Sequence, residues 1–192
     1  MCDQLIQKAK DYIAVLFEGC SDGHDAEHSL RVYANAMKIA ETESPCDLEV
    51  VALAALLHDA DDHKLFDTKD NYNARKFLVS NGVDAVKTDF ICSIIESVSF
   101  SRNRGRTPAS LEGKIVQDAD RLDAMGAVGI ARTFAYGGKH GRPLGGGIDH
   151  FHDKLLLLKD EMNTETGRRM AESRHEFMVE YLGHFASETT IE

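Results

Sequence analysis

A run of apolar residues, 53–57, leads directly into His58 and Asp59. The run is typical of a buried helix, and burying a charged carboxylate at the end of such a helix is costly unless another group compensates the charge. Two other His-Asp pairs, beginning at His24 and at His152, lack this apolar context. A bound cation would compensate Asp59, so the sequence predicts a metal site at the edge of an apolar core.

Two further segments carry side chains that can bind a metal. Upstream, His24 and His28 lie four residues apart and therefore on one face of a predicted helix, from which one or both can reach a single site. Downstream, residues 115–124 form an apolar segment of small residues with three carboxylates: Asp118, Asp120 and Asp123. Three carboxylates are unusual in a buried helix. We interpret them as metal ligands, as groups that orient ligands or Arg121, or as residues near the surface.

The order of His28, His58-Asp59 and Asp120 resembles the His…His-Asp…Asp signature of the HD superfamily of metal-dependent phosphohydrolases. The adjoining stretches H-S-L-R-V, L-L-H-D and A-D-R-L also look like the family's pattern, as do residues 112–114, 133–139 and 159–167 for a bacterial subgroup of small stand-alone HD proteins. The resemblance covers residues 20 to about 185. It implies an all-α fold with a single domain over 1–192 and a core at about 20–186.

The resemblance also implies that one divalent ion is held by His28, His58, Asp59 and Asp120, with Asp118 as the alternative to Asp120. Two imidazoles and two carboxylates suit an octahedral ion with open positions for water. Manganese is our first choice, with iron, cobalt, nickel or magnesium as alternatives. Such an ion lowers the pKa of its water toward neutrality and polarises a phosphoryl oxygen, which favours hydrolysis of phosphate esters or anhydrides.

A proton-handling residue is predicted just after the metal pair. Asp62 lies four residues after His58, one helical turn further if the helix continues that far. In the alarmone hydrolases of the superfamily an acidic residue at this position handles protons, so the resemblance implies that role for Asp62, with Asp61 as its competitor. The alternative is that both carboxylates only cap or solvate a helix end.

Basic residues that could bind phosphate are spread along the chain. Arginine's planar fork suits phosphate oxygens, Lys64 follows the metal pair closely, and Arg121 adjoins Asp120. A basic loop at 101–106 could equally be a solvated surface. The candidates for contacts with the substrate or with the ligands are His24, Lys64, Arg102, Arg104, Arg106, Lys114, Arg121, Lys139 and Arg142.

The composition excludes several classes of partner. A net charge of −10 argues against long DNA or RNA, although a metal and a few local basic residues would still attract a small anion. No segment approaches 18 consecutive apolar residues and no signal sequence is present, so we expect a cytoplasmic protein that does not enter a membrane. The four cysteines are scattered without C-x-x-C spacing, which argues against a zinc ribbon or a disulfide framework.

Apolar residues three and four apart predict helices throughout the chain and almost no strands. Residues 137–147 carry six glycines and predict a mobile loop near the site or a plain connector. The predicted helices are 4–18, 28–41, 47–59, 72–80, 84–99, 111–135, 149–160 and 165–186.

These features predict a phosphohydrolase that acts on a small phosphorylated metabolite, first of all a nucleotide, at a phosphomonoester or pyrophosphate bond. The alternatives are an alarmone-type 3'-pyrophosphohydrolase and a catalytically silent module that binds metal or nucleotide. Di-iron oxygenases and the multi-metal phosphodiesterases of this fold need extra histidines, whereas only His63 lies between Asp59 and Asp120. The sequence therefore favours one metal ion, and it leaves the oligomeric state open.

Overall fold

The structure is a computed structural model that describes residues 2–20, 25–98, 103 and 105–189. The described part contains nine α-helices, one 3-10 helix and no strand, which confirms the all-α prediction. In chain order the helices are α1 (Cys2–Leu16), α2 (Ala26–Ala40), α3 (Leu48–Leu57), α4 (Tyr72–Ser80), α5 (Ala85–Val98), α6 (Leu111–Asp123), α7 (Gly126–Lys139), α8 (Leu144–Asp153), the 3-10 helix (Leu155–Glu161) and α9 (Glu165–Thr189). None of these described helices is long and apolar enough to cross a membrane.

Helix α3 is the centre of the core. Every residue from Val50 to Leu57 is buried, as expected for a helix that is apolar on all sides. Asp47 starts the helix by accepting hydrogen bonds from the backbone N–H groups of Glu49 and Val50, at 3.0 and 3.1 Å. Helices α1, α2, α5 and α6 all pack against α3. The chain leaves the core at the C-terminal end of α3, after Leu57.

Helices α2 and α6 pack against α3 and against each other. Asp25 caps α2 by accepting a 2.7 Å hydrogen bond from the backbone N–H of His28, which fixes His28 in the first turn. Ser110 caps α6 in the same way through the N–H of Gly113, at 3.0 Å. This packing brings the start of α2 close to the C-terminal ends of α3 and α6.

The single helix predicted over 111–135 is wrong, because the chain breaks between α6 and α7. Gly126 has a φ of +68°, a conformation that side-chain-bearing residues rarely adopt. Arg174 of α9 packs against this glycine, and its guanidinium donates to the carbonyl of Leu122. A residue from the far end of the chain thus satisfies the C-terminus of α6, which explains why the local sequence pattern gave no sign of the break.

The prediction of a mobile loop at 137–147 also differs from the structure. Helix α7 continues to Lys139 and α8 begins at Leu144, so only a four-residue turn joins them. A Cβ atom on Gly147 would lie 2.8 Å from the ring of Phe134. Here the absence of a side chain lets two helices approach closely.

Gly167 is the glycine where we expect the largest cost of substitution. A Cβ atom there would lie 2.4 Å from Oδ2 of the buried Asp118, so Gly167→Ala should lower the free energy of unfolding by about 1–3 kcal/mol. Gly183 lies on the same helix, and a Cβ atom there would meet nothing within 4 Å, so Gly183→Ala should leave stability unchanged or raise it slightly. Urea unfolding of both variants measures the difference, and equal effects would contradict this account.

Candidate metal centre

Four side chains converge where α2 begins and α3 and α6 end. Nε2 of His28 lies 3.1 Å from Nε2 of His58, and Oδ2 of Asp59 lies 3.4 Å from each of these nitrogens. Oδ1 of Asp120 lies 3.4 Å from Nε2 of His28 and 3.8 Å from Nε2 of His58. Neighbouring donors of an octahedral ion with bonds near 2.1 Å are about 3 Å apart, so the spacing fits a single divalent ion.

The outer hydrogen bonds of the two imidazoles fix which nitrogen faces the cluster. Nδ1 of His58 lies 2.9 Å from the carbonyl oxygen of Ala55 and donates to it, because a carbonyl can only accept. Nδ1 of His28 donates to Oδ2 of Asp123 at 2.7 Å. When both rings are neutral, as in a metal ligand, each directs the lone pair of Nε2 toward the other. Two lone pairs at 3.1 Å repel unless a positive charge lies between them, which is the arrangement of metal-binding histidines.

Asp123 lies behind His28 and is only 2% exposed. It accepts hydrogen bonds from Nε of Arg31 at 2.7 Å and from Nη1 of Arg132 at 2.5 Å, as well as from His28. Burial alone would raise the pKa of Asp123, but the bonds from His28 and Arg31 and the charge of Arg132 hold it well below its usual range. Of the roles that the sequence left open for Asp123, the hydrogen bond to Nδ1 favours the one in which Asp123 orients His28.

The cluster favours a positive charge. Burial lowers the pKa of His28, but hydrogen bonds to Asp120, Asp123 and Asp59 outweigh it and raise this pKa well above its ordinary value. Several carboxylates that converge on one buried imidazole require a compensating cation. A proton on His28 or a divalent ion would supply that charge.

The structure separates Asp118 from Asp120. The two residues lie two apart on α6, so their side chains leave the helix in different directions. Asp120 faces the imidazoles, whereas the fully buried Asp118 accepts hydrogen bonds from the backbone N–H groups of Asn163 and Thr164, both at 2.8 Å. Asp118 thus ties α6 to the start of α9.

This division predicts different losses for the two carboxylates. Asp120→Asn should weaken Mn²⁺ binding by at least about tenfold, because it removes a charge from the cluster. Asp118→Asn should keep the metal affinity but lower the free energy of unfolding by about 1–3 kcal/mol, because its amide nitrogen cannot accept the buried N–H groups. Calorimetric titration with Mn²⁺ and urea unfolding measure the two effects. Loss of metal in Asp118→Asn alone would exchange the roles.

The acidic residues after Asp59 differ in how they are used. Helix α3 ends at Leu57 and the chain continues in turns, so the predicted helical extension to Asp62 is not formed. Asp61 accepts hydrogen bonds from the backbone N–H groups of Asn73 and Ala74, at 2.9 and 3.0 Å, and thereby caps α4. Asp62 accepts from the N–H of Lys64 at 2.8 Å. Of the two candidates, Asp61 is committed to holding α4, and the role of Asp62 in proton handling stays a prediction.

A cavity of about 530 Å³ lies beside the cluster. Its wall includes Asp25, which caps His28, and Ala124, which follows Asp123. Five basic residues among the described lining face this space: Lys64, Arg132, Lys139, Arg142 and Lys154. In a chain with a net charge of −10, such a concentration of positive charge favours a small anionic ligand.

The predicted basic residues fall into three groups. Lys64, Lys139 and Arg142 line the cavity. Arg121 does not: it is 5% exposed, its guanidinium donates to the carbonyl of Glu161, and it lies 3.3 Å from the carboxylate of that residue. The structure therefore does not bring Arg121 to the cavity, and its contact with the substrate or the ligands stays a prediction. Lys114, in the first turn of α6, and Arg106 are not among the described lining residues, while His24, Arg102 and Arg104 lie outside the described part of the chain.

Three basic residues of the cavity wall were missed by the sequence interpretation: Arg132, His150 and Lys154. Burial, followed by the charges of Lys154 and Arg142, lowers the pKa of His150. Burial also lowers the pKa of Lys154, where the charges of Lys64 and Arg132 add to the effect and Asp120 opposes it. His150 and Lys154 lie four residues apart, a spacing that could have suggested one shared face, whereas the His152-Asp153 pair is exposed as expected.

Comparisons with known proteins identify the family and the fold. Residues 25–125 match the HD domain family. The protein YpgQ of Bacillus subtilis is 44% identical over 185 residues, which cover 92% of this chain and 89% of YpgQ. The crystal structure of YpgQ in complex with ADP aligns at 38% identity with a TM-score of 0.86, covering 98% of this chain and 97% of that one. An HD-superfamily hydrolase from Bacillus thuringiensis aligns at 36% identity with a TM-score of 0.81, covering 98% of both chains.

Proposed function

The chain belongs to the HD domain family, and from that premise we propose that it is a metal-dependent phosphohydrolase whose substrate is a small phosphorylated metabolite, in the first place a nucleotide. The observation that carries the proposal is the cluster of His28, His58 and Asp120, with Asp59 against both imidazoles, beside a cavity with five basic residues. The cluster alone would fit many metal-binding proteins. Together with a positively charged wall it suits an enzyme that acts on phosphate.

The donor set fits a divalent ion, which His28, His58, Asp59 and Asp120 would hold. Such an ion, when bound, supplies a water of lowered pKa and polarises a phosphoryl oxygen. Manganese is the first candidate because the set mixes nitrogen and oxygen donors, with iron, cobalt, nickel and magnesium as alternatives.

The other residues of the site would bind and orient the substrate. Arginine and lysine side chains in the wall would hold phosphate oxygens through charge-assisted hydrogen bonds. Tyr136 lines the same cavity and is 44% exposed, so its ring could pack against a base. The volume lies within the usual range for small-molecule sites. The complex of YpgQ with ADP supports a nucleotide as the ligand class.

A substrate screen tests the proposal. Nucleoside mono-, di- and triphosphates and nucleoside 3'-pyrophosphates would be incubated with Mn²⁺, Mg²⁺, Co²⁺ or Ni²⁺, and phosphate and pyrophosphate would be assayed separately. We expect metal-dependent turnover of at least one nucleotide. Phosphate as the product indicates a monoester or terminal bond. Pyrophosphate indicates an internal anhydride, or an alarmone-type bond if the substrate carried a 3'-pyrophosphate.

The His58→Ala variant, purified in parallel, controls for contaminating phosphatases. Turnover that persists in this variant would not come from the proposed centre. A wild-type protein that binds both Mn²⁺ and a nucleotide but never turns over would contradict the enzyme and favour a regulatory binding module.

A further inference from the structure

Arg132 lies between the cluster and the cavity. Its Nη1 donates to Oδ2 of Asp123 at 2.5 Å and lies 3.2 Å from Nδ1 of His28. The same residue lines the cavity. Arg132 belongs to α7, which lies beyond the 25–125 span that matches the HD domain family. Arg132 therefore contacts His28 although it lies outside the matched span.

We propose that Arg132 is a positioning residue that serves both the metal centre and the anion site. The inference rests on the proposed function, since it takes His28 as a ligand and the cavity as the site for phosphate. A guanidinium carries five N–H donors in one rigid plane, so it can bond to Asp123 and to an anion at the same time. Neither a lysine nor a glutamine offers that combination.

The effect on the metal passes through Asp123. This carboxylate is nearly fully buried, and two guanidinium groups, from Arg31 and Arg132, compensate its charge while it orients His28. Loss of either guanidinium weakens that support and loosens the imidazole. Loss of groups that orient metal-bound histidines typically reduces metal affinity by about 10- to 100-fold.

Two other arginines each make one of the two kinds of contact proposed for Arg132. Arg31 donates to Asp123 at 2.7 Å but is not among the described residues that line the cavity. Arg142, in the turn between α7 and α8, lines the cavity, with its guanidinium carbon 5.9 Å from the ring centroid of Tyr136. Arg31 therefore reports on the metal centre and Arg142 on the anion site.

The test measures two affinities in the wild type and in four variants. Mn²⁺ binding is titrated without any nucleotide, and inorganic pyrophosphate binding is titrated in EDTA. We expect Arg31→Gln to weaken only Mn²⁺ binding and Arg142→Gln to weaken only pyrophosphate binding, each by about tenfold or more. Arg132→Gln should weaken both. Arg132→Lys, which keeps the charge, should recover part of the pyrophosphate affinity.

Thermal unfolding of each variant checks that the fold is intact. If the wild type binds both probes and Arg132→Gln affects only one of them, the linking role is wrong while the proposed function stands. If Arg132→Lys recovers neither affinity, a general disturbance of α7 explains the loss and the inference fails. If the wild type binds neither probe, the proposed function fails and this inference fails with it.

Discussion

Asp59→Ala and His58→Ala should each purify without the divalent ion and release no measurable phosphate from any nucleotide. Each substitution removes one of four donors, in a cluster where the two Nε2 atoms lie 3.1 Å apart and each lies 3.4–3.8 Å from the carboxylate oxygens. The remaining three donors would bind an ion weakly and orient it poorly. The helices should remain, because both residues follow the last residue of α3 and lie at the edge of the core.

Elemental analysis of the purified variants measures the metal, and far-ultraviolet circular dichroism measures the helix content. His152→Ala is a matched control, since it alters an exposed His-Asp pair on α8 and should keep both metal and turnover. A full complement of metal in Asp59→Ala would show that the ligand set is wrong.

The core and the position of the metal pair could be predicted from the sequence because both depend on local patterns. Residues 50–57 are apolar without interruption, which requires a helix buried on all sides. A histidine and an aspartate at the end of such a helix are held away from bulk water, so the amino-acid order by itself indicates that a cation must compensate them. Periodicity located most of the helices because it too is a local property of the chain.

The support behind the imidazoles could not be predicted, because it depends on contacts between distant segments. Asp123 and His28 are 95 residues apart, and Arg132 and His28 are 104 residues apart. Only the packing of α2, α6 and α7 brings these residues together. No local spacing rule connects them.

Two residues that are adjacent in the sequence point in different directions when they lie on a helix, so adjacency to a ligand was a misleading guide to the site. Arg121 follows Asp120 directly, yet its guanidinium binds Glu161 while Asp120 faces His28. The glycines of 137–147 misled in another way, since they favoured a flexible connector. In the structure Gly147 permits close packing of α7 and α8, and Lys139 and Arg142, at the end of α7 and in the turn after it, lie in the cavity wall.

The two parts of the site also differ in how they relate to the family. The span 25–125 contains all four donors of the centre. Four of the five basic residues of the cavity wall lie after it, on α7 and in residues 140–154: Arg132, Lys139, Arg142 and Lys154. The candidate donors therefore lie within the span that matches the family, whereas most of the basic residues of the cavity wall lie outside it.

Asp62→Asn should keep its metal and its fold but turn over roughly 10²- to 10⁴-fold more slowly, a rise in the barrier of about 3–5 kcal/mol. The loss should appear in kcat while KM changes little, because the amide keeps the size of the side chain but cannot take a proton. Steady-state kinetics with the best substrate of the screen, together with metal analysis of the same preparation, measure both quantities.

Asp61→Asn is the matched control, one residue away and identical in chemistry. The structure assigns Asp61 to the start of α4, where its two oxygens accept the N–H groups of Asn73 and Ala74. Its substitution should therefore lower the free energy of unfolding by about 1 kcal/mol and leave kcat close to that of the wild type. If Asp61→Asn loses kcat and Asp62→Asn does not, the proton-handling role belongs to Asp61. If neither variant slows turnover, the nucleophilic water needs no carboxylate partner from this turn.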